Sequence, residues 1–80
     1  MRKYVNAVEN LVANVWTFDS ESERKETRKI LLRAVLRINK RGFVRVSDPD
    51  EICQLITVGL RYYAEFDLAT MREGDYIFTF

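Results

Sequence analysis

The sequence predicts a small α+β domain in which three helices carry a short antiparallel sheet. Three observations point there. Apolar residues recur at helical spacing through three windows, two of those windows open on helix-start signals, and the β-rich runs "FVRV" and "YIFTF" each follow a glycine-containing turn. The expected helices cover about 2–17, 20–41 and 48–70, and the expected strands about 43–47 and 75–80, all in one domain spanning 1–80.

In the first window Met1, Tyr4, Val8, Leu11, Val15 and Phe18 alternate spacings of three and four, a heptad-like seam that Val5, Val12 and Trp16 widen. Asn6, Asn10 and Asn14 fall on the opposite side, where amides stay solvated or bond to a partner. The second helix starts at "SESE", with Ser20 as N-cap and Glu23 closing a capping box. It ends at Gly42, which suits a left-handed stop, with Arg37, Lys40 and Arg41 in the last turn.

Phe43, Val44 and Val46 favour a strand. "SDPDEI" then starts a third helix, with Asp48 as the cap, Pro49 in the first turn and Asp50 and Glu51 beside the positive helix end. Along it Ile52, Leu55, Ile56, Gly59, Leu60, Tyr63 and Phe66 share a side, and Cys53 lies at the margin of that side as a small buried hydrophobe. The stretch after Phe66 admits two readings. Either the helix runs on to about Met71, or "FDLATM" and "YIFTF" form a hairpin around Gly74.

Composition narrows the chemistry. The 80 residues are 48% hydrophobic and 31% charged, which is the balance of a folded domain with a thin core. Thirteen basic residues against twelve acidic ones leave a net charge of +1, so any attraction to a polyanion has to come from segregated charge. One cysteine and no histidine remove disulfide frameworks, the common zinc sites and both Ser-His-Asp and Cys-His catalysis. Gly42, Gly59 and Gly74 are isolated, which leaves neither a P-loop nor a dinucleotide fingerprint. Asp67 is the one carboxylate that the pattern sets against apolar neighbours, the weak basis for an enzyme reading helped by Arg61 and the tyrosines. No run is long and apolar enough to span a bilayer or to serve as a signal peptide. With cysteine so sparse, the expectation is a soluble cytoplasmic protein without catalytic residues, metal or cofactor.

The informative segment is "RKILLRAVLRINKRGFVRV", from Arg28 to Val46, with seven basic residues and no acid. Wound as a helix, Lys29, Arg33, Arg37 and Lys40 make one ridge, and Arg41 and Arg45 continue it past the helix end. Ile30, Leu31, Ala34, Val35 and Ile38 face elsewhere, while Leu32 and Leu36 form a second apolar patch adjoining the basic ridge. Two functions are expected from this pattern. The leading one is a non-enzymatic protein-interaction module, homodimeric and binding a further protein through Leu32, Leu36, Arg33 and Arg37. The alternative is a nucleic-acid-binding regulator using Lys29, Arg33, Arg37, Lys40, Arg41 and Arg45. Against the alternative stand Glu26, three residues before Lys29 on the same ridge, and the acids of the third helix start and of the "DSESE" turn, all able to pair with the stripe.

Overall fold

The computed structural model describes residues 2–64 and 76–79. Helix α1 (Arg2–Asn10) passes directly into a π-helical turn (Leu11–Val15), followed by α2 (Glu21–Arg41), β1 (Val44–Val46), α3 (Pro49–Val58), β2 (Arg61–Ala64) and β3 (Tyr76–Thr79). The fold is α+β, as the sequence predicts.

The ends of α2 form as the residues there dictate. Ser20 takes an extended backbone and its Oγ accepts from the Glu23 N–H at 3.1 Å, while the Asp19 N–H donates to the Glu23 carboxylate at 3.1 Å. Glu23 therefore reaches back one residue beyond the N-cap. At the other end Gly42 adopts φ 89°, and its N–H donates to the Ile38 carbonyl at 2.7 Å.

The first helix departs from expectation at its end. The Trp16 N–H donates to the Leu11 carbonyl at 2.8 Å, five residues back, and Trp16 itself is extended. A π turn holds more residues than an α turn, so the seam loses phase across it. Val8 and Val12 are buried, whereas Val15, expected on the seam, is 57% exposed. On the far side the Asn14 amide donates to the Asn10 carbonyl oxygen at 3.0 Å, in solvent.

The third helix is corrected more strongly. It stops at Val58, not near residue 70, because Gly59 turns left-handed at φ 93° and its N–H closes on the Ile56 carbonyl at 2.9 Å. Residues 61–64, expected as helix, are strand β2. The shorter helix also has a different buried face: Ile52, Leu55 and Val58 go inward, and Cys53 is exposed rather than buried. Asp48 occupies the N-cap without a side-chain bond; its carbonyl accepts from the Ile52 N–H at 2.9 Å. Asp67 and the choice between helix and hairpin for 66–75 lie outside the described residues.

The two expected strands pair, and β2 joins them. The sheet is antiparallel in the order β1-β3-β2, with Val44 opposite Phe78, Val46 opposite Tyr76, and Tyr62 opposite Phe78 on the other side. Alternation sends Val44, Val46 and Phe78 into the core and leaves Arg45 in water. The core unites Val8 and Val12 of the first helical segment with Leu31, Ala34, Val35 and Ile38 of α2, the α3 face and the inner side of the sheet. Arg28 clamps α2 to α1 by a two-pronged pair with Glu9, at 2.7 Å from Nη2 and 3.1 Å from Nε.

Candidate nucleic-acid interface

Helix α2 crosses the molecule with Leu31, Ala34, Val35 and Ile38 buried beneath it. Successive residues turn about 100°, which places Lys29, Arg33, Arg37 and Lys40 within an arc of roughly 80° nearly opposite that buried stripe. All four are exposed, as are Arg41 and Arg45 beyond them. From Lys29 to Lys40 the ridge extends about 17 Å along the axis at 1.5 Å per residue.

Several acids near α2 are engaged elsewhere, whereas Glu51 at the start of α3 lies beside Arg33 and Arg37. Glu9 holds Arg28, Glu21 pairs with Arg24 at 3.3 Å, and Glu23 is spent on the cap. Glu26 forms no salt bridge with Lys29, and none of Lys29, Arg33, Arg37, Lys40 and Arg41 is in a salt bridge among the described residues. The local consequence for Arg28 is electrostatic: the Glu9 carboxylate raises its pKa above the ordinary guanidinium value, first through the hydrogen bond and then through charge.

Leu32 and Leu36 do not share one environment. Leu32 is half-buried and packs against the core, while Leu36 is 56% exposed. Phe43, just past the end of α2, is 47% exposed. The apolar surface near this end of the helix is thus Leu36 and Phe43.

Beside the ridge, α2, β1 and the start of α3 enclose a cavity of about 280 Å³. Ile30, Ala34 and Val44 contribute its apolar surface, and Arg33, Arg37, Arg45 and Glu51 its charged groups. Burial pushes the Glu51 carboxyl above its usual pKa, Asp48 adds to that, and Arg37 opposes it. The sequence offers the acids of the α3 start as partners for the stripe, and the structure sets one of them, Glu51, beside Arg33 and Arg37. No local signal joins Glu51 to Arg33: they meet because β1 folds α3 back against α2. A second cavity, of about 350 Å³, lies between Trp16, Phe18, Cys53 and Thr57 on another part of the surface.

Among the described residues no cluster of three or more potential metal ligands occurs, and no helix is long and apolar enough to cross a membrane. The chain matches no protein-family model, no curated protein and no solved structure, so the function is argued from the geometry of α2 and its neighbours.

Proposed function

We propose that the protein is a binding protein and that the exposed face of α2 binds nucleic acid. The observation that carries this reading is the cationic ridge, about 17 Å long, whose Lys29, Arg33, Arg37 and Lys40 are in no salt bridge among the described residues. Duplex phosphates advance about 3.4 Å per strand along the axis, so the ridge can face about five of them. Net charge does not produce the attraction; its one-sided placement does. A histidine-free chain of 80 residues also has few groups with which to run acid–base chemistry near neutrality, which fits binding better than catalysis.

The test is a binding series with a fluorescein-labelled random duplex and a labelled oligothymidylate across a salt gradient. With one contact from each of the four ridge cations the log–log slope is expected to be about −3.6 for the duplex and about −2.8 for the single strand, using about 0.9 and 0.7 per phosphate. Absence of binding to either probe at low salt overturns the reading, and so does binding indifferent to salt.

A second reading, a homodimeric protein-interaction module, draws support from the exposure of Leu36 and Phe43 at one end of α2. Under it, light scattering returns a dimer for the parent and a monomer for Leu36→Ser. A parent that is monomeric, or a variant that stays as dimeric as the parent, removes this reading.

A further inference from the structure

We propose that the cavity between α2, β1 and α3 seats a single unstacked base, guanine, of a nucleic-acid strand lying along the cationic ridge, with Arg33 and Arg37 on one edge and Glu51 on the other. This rests on the nucleic-acid reading above and goes beyond it by naming strandedness and base.

The cavity and the ridge share Arg33 and Arg37, so a strand whose phosphates follow α2 passes its mouth. Its volume of about 280 Å³ lies just below the roughly 300–1,000 Å³ typical of drug-sized ligands, which is room enough for one base. Ala34 and Val44 are buried and form its floor, so the face of a flat ring would rest on half-buried Ile30 and on the arginine planes.

The polar groups choose among bases. A pocket meant for phosphate alone would be weakened by a carboxylate, yet Glu51 lines this one together with three arginines. Guanine has a use for both charges. Its O6 and N7 accept from an arginine fork, and its N1–H and N2–H₂ donate side by side to the two oxygens of a carboxylate. Adenine and cytosine each offer a carboxylate a single amino group, and thymine offers one ring N–H. A partly desolvated Glu51 gains most from the base with two adjacent donors. The base has to be unpaired for that edge to be open, which makes single strands the ligand.

The experiment compares oligothymidylates carrying one central guanine, adenine or cytosine with the unsubstituted strand. It uses fluorescence anisotropy at fixed salt, on the parent and on Glu51→Gln. The parent is expected to bind the guanine strand at least about fivefold tighter than the others. Glu51→Gln is expected to lose that preference, read within each protein as the ratio of affinity for the guanine strand to affinity for oligothymidylate. Equal affinity for all four strands overturns the proposal, as does a guanine preference that survives in Glu51→Gln. Binding to duplex alone overturns it and leaves the broader nucleic-acid reading standing; binding to neither probe overturns both.

Discussion

Phe78→Ala is expected to leave the protein largely unfolded at room temperature. Phe78 is fully buried in the central strand, the largest side chain of the core, set between the partners Val44 and Tyr62 in the sheet register. Truncating a buried phenylalanine costs about 3–5 kcal/mol, from lost transfer energy and from the cavity left behind. A domain of 80 residues has roughly 4–12 kcal/mol of stability to lose, at about 0.05–0.15 kcal/mol per residue. The substitution therefore removes a large share of it, or all. Urea unfolding followed by circular dichroism should show the transition midpoint moved to very low denaturant or absent, while Phe78→Leu retains a cooperative transition. A parental midpoint in Phe78→Ala would show that the sheet does not depend on this side chain.

The double substitution Arg33→Ala with Arg37→Ala is expected to weaken nucleic-acid binding by more than tenfold at moderate salt and to leave folding unchanged. Both side chains are exposed and in no salt bridge among the described residues, and alanine favours helix, so α2 has no reason to suffer. Each lost phosphate contact should lower the salt slope by about 0.9, so the slope against duplex should fall from about −3.6 to about −1.8. Anisotropy over a salt series, with a thermal melt alongside, reads both quantities. A variant with the parent's slope would place the phosphate contacts elsewhere, and a variant with a lowered melting temperature would assign the arginines a structural role.

The elements with local punctuation were legible in the sequence. Ser20 with Glu23, Gly42, and Pro49 after Asp48 mark helix ends, and the structure sets its boundaries at those places. The strands Val44–Val46 and Tyr76–Thr79 were visible for the same reason, as short β-rich runs after glycine turns. What misled was continuity of pattern. Leu60 and Tyr63 extend the helical spacing of Ile52, Leu55 and Ile56, so Gly59 read as an interior glycine when it is a left-handed stop. Tyr62 and Tyr63 are strand formers, yet their partner strand lies beyond an intervening stretch, and no local signal reports a distant partner. The π turn has no sequence mark either, which is why Val15 was assigned to the seam.

The candidate site divides along the same line. Direction of charge on α2 is a property of one helix and follows from spacing alone. The cavity is a property of three elements, and Glu51 entered it only through the fold. The pairing of Arg28 with Glu9 was likewise invisible, since the two meet only where α1 packs on α2.

In the finished sheet β1 and β2 touch β3 and not each other. A growing chain that has reached Ala64 but not Tyr76 therefore holds two strands and no sheet, with the inner faces of Val44 and Val46 waiting for Phe78. Without β3 paired, the β half of the core stays open and both remaining strands expose bare edges, the kind of surface that neighbouring chains extend into aggregates.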